Sequence, residues 1–247
     1  MFEVRDLHAY YGKSHVVQGI SLQVGDGEAV GLMGRNGVGK TTTLKSIAGL
    51  LTRTQGSVLL DGADLARLSA HARARRGLGY VPEAQAVFPD MSVEENIHIG
   101  TLIQPRQEQA ACIEAAYELF PILSERRRQL AGTLSGGQQK MLALARGLCL
   151  RPRLLLVDEP SEGLMPVNVE LIAQALKKAT QEGIGVLVVD ASFDLVRTAC
   201  ARLYAMDRGV LVGSYQPSDF SSPEMLAATF LGSESPLPVG EAKGEGS

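Results

Sequence analysis

The sequence predicts an α/β fold, a mainly parallel sheet wrapped by helices, with an antiparallel β subdomain at its start and a helical subdomain inserted later. Three observations predict it. Short β-rich runs alternate with longer helical ones along the chain. Two runs, Leu154-Leu155-Leu156-Val157 and Val186-Leu187-Val188-Val189, are continuously apolar, which marks strands covered on both faces. A glycine-rich stretch from Gly34 to Thr42 stands between an apolar strand and a helix, the context of a phosphate-binding loop.

Taken in order, Phe2 to Leu7 and Val16 to Val24 alternate apolar and polar side chains as half-exposed antiparallel strands do. Gly25-Asp26-Gly27 then turns the chain into a strand over Glu28 to Met33. The helix that follows the loop carries Leu44, Ile47 and Leu51 at apolar positions. Between about residues 90 and 150 helical signals replace strand signals. Ser92-Val93-Glu94-Glu95 spells a capping box, in which the serine accepts a first-turn N–H and the glutamate reaches back. A helix is expected over Gln107 to Leu119, stopped near Pro121, and another over Gln138 to Leu150, stopped by Pro152. The two continuous runs end in Asp158 and Asp190. Ligands of open α/β sheets bind beyond the carboxyl ends of the strands, so the chemistry is expected there. Residues 232–247 are too polar and too rich in Gly and Pro to pack, and a disordered tail is expected. The reading is one domain over 1–231, with the core and β subdomain in about 1–85 and 151–231 and the helical subdomain in about 86–150.

Composition narrows the function. The 247 residues are 45% hydrophobic, enough to bury a core, and 24 Lys plus Arg against 27 Asp plus Glu give a net charge of −3. No chain-wide positive field exists to hold a phosphate backbone, so no nucleic-acid partner is expected. The apolar runs fall far short of the roughly 20 residues that cross a bilayer. Met1 to Asp6 lacks the basic start and apolar run of a signal peptide, so a cytoplasmic location is expected. Cys112, Cys149 and Cys200 have no paired spacing and are expected as buried small apolar residues. His8, His15, His71 and His98 show no metal spacing. Arg73, Arg75 and Arg76, and the run Arg126-Arg127-Arg128, are read as solvated charged faces.

The chemistry-bearing residues form three groups. In Gly34-Arg35-Asn36-Gly37-Val38-Gly39-Lys40-Thr41-Thr42 the glycines let successive N–H groups point into one concavity. The helix start adds about half a positive charge and Lys40 a full one. A triphosphate is the natural guest, with the Thr41 hydroxyl placed for Mg²⁺. Asp158-Glu159 ends a buried strand, where adjacent side chains diverge. One acid can then face the metal and the other a water beyond the γ-phosphate, which makes Asp158 the Mg²⁺ partner and Glu159 the general base. The third group, Leu134-Ser135-Gly136-Gly137-Gln138, opens a helix, where small residues leave N–H groups for an anion.

These three groups, in this order and spacing, make the chain similar to the ATP-binding cassette (ABC) ATPases, over nearly all of Phe2 to Leu231. The resemblance implies an ATPase that uses ATP and Mg²⁺ and pairs head to tail, as a homodimer or with a sister ATPase. Leu134, Ser135, Gly136, Gly137 and Gln138 would then complete the partner's site. It also implies that Tyr11 stacks on adenine, with Tyr10 an adjacent rival. Further phrases resemble the Liv-type ATPases of branched-chain amino-acid transporters: Ala9-Tyr10-Tyr11-Gly12-Lys13, Leu78-Gly79-Tyr80-Val81-Pro82-Glu83, Phe88 to Asn96, Tyr117 to Pro121, Glu125 to Leu134 and Phe230-Leu231-Gly232. Urea and short-amide importers share much of this pattern. That likeness implies work at the cytoplasmic face of the inner membrane. The chain would dock through the loops around Glu83 to Asp90 on permease subunits served by a periplasmic or extracellular binding protein.

Two departures touch the mechanism. Glu83 stands where most ABC ATPases carry a Gln that senses metal, water and the membrane subunit, a Liv-type trait that makes Glu83 a candidate catalytic and metal residue. Ala191 stands where most carry a His that contacts the γ-phosphate. A methyl group donates no hydrogen bond, so slow hydrolysis is expected. Ser161-Glu162-Gly163-Leu164 also lacks the usual Asp. Two other functions follow as alternatives: a hydrolysis-weak regulatory cassette supporting an active partner, and a non-transport cytosolic ABC protein. The stretch from Lys40 to Ser135 is too short for the coiled-coil insertion of the DNA-repair members, and the chain holds one cassette rather than two.

Overall fold

The computed structural model describes residues 1–84, 86–220 and Met225; the expected tail and the phrase Phe230-Leu231-Gly232 lie outside them. Strands β1 (Phe2–Tyr11) and β2 (Ser14–Val24) pair antiparallel and are followed by β3 (Ala29–Met33). Helix α1 (Lys40–Ile47) leads to β4 (Thr54–Leu60) and the two-residue β5 (Ala63–Asp64), then α2 (Ala70–Arg75) and β6 (Leu78–Val81). Four helices follow: α3 (Val93–Thr101), α4 (Arg106–Leu119), α5 (Pro121–Glu125) and α6 (Gly136–Cys149). The chain closes with β7 (Leu154–Asp158), α7 (Pro166–Gln181), β8 (Gly185–Val189), α8 (Phe193–Ala199), β9 (Arg202–Asp207) and β10 (Val210–Tyr215).

One sheet has the order β2-β1-β4-β5 and is antiparallel throughout; the other runs β10-β9-β3-β8-β7-β6. In the second, only β10 is antiparallel to its neighbour. The two continuous apolar runs are its adjacent inner strands β7 and β8, buried at every residue. Their side chains alternate between two cores. Leu155, Val157, Val186 and Val188 face the helices α6, α7 and α8, whereas Leu154, Leu156, Leu187 and Val189 face α1 and the antiparallel sheet. Helix α1 is therefore sandwiched between the sheets. β6, β7, β8 and β3 are parallel neighbours, so Glu83, Asp158, Asp190 and the loop after Met33 come out at one sheet edge.

Four expectations need correction. Helix α1 stops at Ile47, before Leu51. Gly49, with φ +75°, ends it in a Schellman turn, Leu50 N–H donating to Lys45 O and Gly49 N–H to Ser46 O. Leu51 still packs on the same core. Pro121 does not only stop α4. It opens α5 at a first-turn position, where a missing N–H costs nothing. Helix α6 starts two residues earlier than expected, at Gly136. Arg73 is not solvated but 3% exposed, and its guanidinium donates to Ser46 O, Ile47 O, Ala66 O and Leu68 O, closing the carboxyl end of α1. Ser92 and Glu95 form the expected capping box on α3. All three cysteines are buried and free, and burial pushes the Cys149 and Cys200 thiols up to about 12. Among the described residues no helix is long and apolar enough to cross a membrane.

Candidate functional site

The loop between β3 and α1 needs glycine for two different reasons. A Cβ on Gly34 would lie 2.2 Å from Met206 O on β9, so the loop can leave the sheet only without a side chain there. Gly39 is the N-cap of α1 with φ +114°, a left-handed backbone that L side chains rarely adopt. It also brings no side chain to cap the helix. The first-turn N–H groups of α1 are therefore free of side-chain partners, and they carry the positive end of the helix. Lys40 is buried and turns its ammonium back onto the loop, donating to Gly34 O at 2.9 Å and Arg35 O at 3.2 Å.

Opposite lies the end of β7. Asp158 is 2% exposed, accepts the Thr41 hydroxyl at 2.9 Å and accepts the Tyr80 hydroxyl at 3.1 Å. Burial raises its carboxyl pKa, and those two hydrogen bonds with Lys45 and Lys40 pull it partly back. Glu159 has φ +45°, rare for a residue with a side chain. Its N–H donates to Val189 O at 2.8 Å, its carbonyl accepts the Lys140 ammonium at 2.6 Å and its carboxylate accepts Ala191 N–H at 3.2 Å. The Lys40 ammonium is 3.4 Å from the same carboxylate. Burial raises the Glu159 pKa and Lys40 opposes that rise. The Glu83 carboxyl is also raised, first by desolvation and then by the charges of Glu162 and Asp158.

Asn36, Gly37, Gly39, Lys40, Thr41, Thr42, Glu83, Glu159 and Ala191 line one cleft of about 660 Å³, together with Ser161, Glu162, Asp190 and Ser192. Gly34, Arg35 and Val38 belong to the same loop but do not line it. Leu134 to Gln138 do not line it either. Their helix start is less bare than its small residues suggest, since Ser135 accepts Gln138 N–H while the Gln138 side chain accepts Ser135 N–H. Tyr11 lies outside the lining and is 49% exposed, whereas Tyr10 is already engaged, stacked on His15 and covered by Arg53.

Sequence reasoning placed Asp190 at a strand end where chemistry is expected but gave it no role, and it passed over Tyr80 and Lys140. Asp190 accepts Ser161 N–H and Oγ–H and also Ser192 N–H, so one buried carboxylate joins the loop after β7 to the loop after β8. Its place at a strand end was the available signal. Tyr80 and Lys140 gave none, because each acts through a fold contact distant in sequence.

The donor set fits a magnesium ion. Hydroxyl and carboxylate oxygens of Thr41 and Asp158 already touch, and the described residues hold no cluster of three or more His, Cys, Asp or Glu able to cage a metal alone. Mg²⁺ suits such a site, because it takes one or two protein oxygens and completes its shell with phosphate oxygens and water.

Residues 17–162 match the family model described as ABC transporter. The high-affinity branched-chain amino acid transport ATP-binding protein BraG of Pseudomonas aeruginosa is 35% identical over 212 residues, covering 86% of this chain and 91% of its own. The lipopolysaccharide export system ATP-binding protein LptB of Escherichia coli K12 is 33% identical over 228 residues, covering 92% and 94%. In fold, the chain superposes on the dimeric structure of a bacterial ABC transporter cassette with a TM-score of 0.79, at 24% identity, over 88% of this chain and 99% of that one. A parallel sheet whose edge gathers an open helix start, a buried lysine and two strand-end acids is thus matched across most of its length by known cassettes, and the chain belongs to the ABC transporter family as an ATP-binding, ATP-hydrolysing cassette.

Proposed function

We propose that this cassette powers an importer of branched-chain or related amino acids, docked on the cytoplasmic side of a pair of permease subunits. The observation that carries the amino-acid reading is the 35% identity with a branched-chain amino acid transport ATPase, joined to the Liv-type phrases quoted from the sequence. A second reading, lipopolysaccharide export, is supported by the 33% identity with LptB over slightly more of the chain. The division into a core with β subdomain and a helical subdomain at about 86–150 belongs to this proposal, as does contact of the latter with the permease.

Within the site, Gly34 to Thr42 hold the phosphates, the Lys40 ammonium exchanging loop carbonyls for phosphate oxygens. Thr41 and Asp158, with Glu83 at the cleft wall, would hold Mg²⁺, which would supply positive charge to offset the negative charge of the phosphates. Glu159 takes the proton of the attacking water. Its contacts with Ala191 N–H and Lys40 keep its carboxylate in the cleft. Tyr11 supplies the adenine stack, supported by its exposure while Tyr10 is occupied. Leu134 to Gln138 act on a second cassette, supported by their position outside this chain's own cleft and by the dimeric arrangement of the related structure. ATP then holds two cassettes together and hydrolysis releases them.

Ala191 favours slow turnover, in which case this chain supports a more active sister. The test is co-purification with a candidate permease pair, followed by phosphate release in proteoliposomes, with Glu159→Gln as the blank. Stimulation by leucine, isoleucine or valine supports the proposal. Stimulation by urea or by lipopolysaccharide alone overturns the amino-acid reading.

A further inference from the structure

Lys140 lies in the second turn of α6, the helix that begins with the Ser135–Gln138 capping box. Its half-buried side chain does not run to solvent. It crosses to the end of β7, where the ammonium donates to the main-chain carbonyl of Glu159 at 2.6 Å. That carbonyl belongs to a residue in a left-handed conformation, which persists only where its surroundings over-determine it. The Glu159 N–H is fixed by Val189 O at 2.8 Å; the other main-chain contact of its carbonyl, from Glu162 N–H, is long at 3.4 Å. Lys140 is the close, charged contact on that side. It also lines a crevice with Glu83, Asp158 and Pro160, so its charge faces the acids of the cleft from behind.

We propose that Lys140 is a positioning residue for Glu159, holding its peptide so that the carboxylate stays on the Ala191 and Lys40 side of the cleft. The inference rests on the reading of Glu159 as the base. Because Lys140 stands about one turn from Ser135, the same contact ties this chain's own base to the helix whose start faces a partner cassette. A displacement of α6 moves the Glu159 carbonyl, and occupancy at one site is felt at the other without a shared ligand.

The test compares Lys140→Met, which keeps bulk and removes the donor, with Lys140→Arg, which keeps both donor and charge, in steady-state phosphate release. Lys140→Met is expected to lower kcat about tenfold or more, the scale of a small misplacement of a reacting group, with KM for ATP within about twofold of the parent. Lys140→Arg is expected to recover most of that loss. In a Glu159→Gln background Lys140→Met is expected to have no further effect. A parental kcat in Lys140→Met, or an equal loss with Glu159→Gln already present, overturns the role of Lys140 while leaving Glu159 as the base. Undiminished turnover in Glu159→Gln alone overturns the base reading instead. Should Lys140→Met not fold, Lys140→Gln, shorter and neutral, replaces it. It is expected to turn over more slowly than Lys140→Arg at equal KM, and equality between them refutes the proposal.

Discussion

Glu159 and Asp158 occupy the end of one strand, yet their surroundings differ. Asp158 is enclosed by the Thr41 and Tyr80 hydroxyls, while Glu159 turns through a left-handed peptide toward Lys40 and Ala191. Both carboxyls are raised in the folded chain because burial disfavours their charge. A folded value above the unfolded one means that the folded chain keeps a proton which the unfolded chain has already released. The stability from that proton is complete below the ordinary carboxylate range, about pH 4, and is lost as pH rises through the raised values. Asp158→Asn removes one of the two titrations. Its Tm relative to the parent is therefore expected to rise with pH across that window, read from thermal melts of the nucleotide-free chain, and a constant difference would refute the burial argument. Ala191 is exposed to the cleft, so a larger side chain fits. Ala191→His is expected to raise ATP turnover by about 10²–10³-fold, the worth of one transition-state donor, in a phosphate-release assay. At this scale the glycine-rich loop and the strand-end acids were legible because they are contiguous in sequence. The Asp190 carboxylate that joins Ser161 to Ser192 was not, since a clamp across two loops leaves no local pattern.

Two helix starts show how differently similar sequence can be used. α1 opens on Gly39 with no side chain to satisfy its N–H groups; α6 opens on Ser135, which with Gln138 satisfies two of them. An incoming anion meets bare donors at the first and must share or displace the cap at the second. The far end of α1 is held by Arg73, whose removal leaves several buried carbonyls without a partner. Arg73→Met is expected to destabilise the chain by about 3 kcal/mol, read from the midpoint of urea unfolding. Arg73→Lys is expected to restore only part of this, because an ammonium lacks the planar fork that reaches four carbonyls. β1 and β2 were readable from alternation, β7 and β8 from unbroken apolar runs, α3 from its capping box, and α4 and α6 from helical signals; α5 was not, because Pro121 reads as a stop as readily as a start. β4 was not. Gly56 sits there at φ +100° where a Cβ would meet Asp6 O at 2.3 Å, opposite an irregularity in β1 that breaks the alternation. β9 and β10 mix polar and apolar residues because β9 is next to the edge and β10 is the edge.

For the molecule as a whole, Gly136 separates the needs of one chain from those of a pair. A Cβ at Gly136 meets nothing within 4 Å, whereas one at Gly137 lies 2.9 Å from the Asn168 side chain. Gly136→Ala is therefore expected to melt at or slightly above the parental temperature, since alanine favours a helix over glycine by roughly 1 kcal/mol. ATP-dependent dimerisation, measured by sedimentation in a Glu159→Gln background, is expected to weaken. Unchanged dimerisation would remove the case for a role of this helix start in a second cassette. The α/β class and the family were legible in the sequence because they depend on periodicity and on compact motifs. What a partner sees was not, because it depends on surfaces that only the fold assembles.

The inner strands give alternate residues to the two cores, so neither core has a scaffold of its own. Probes planted on opposite sides of the six-stranded sheet should report one shared calorimetric transition, and heat stress should remove whole cassettes from the working pool rather than leave half-melted survivors that still grip nucleotide.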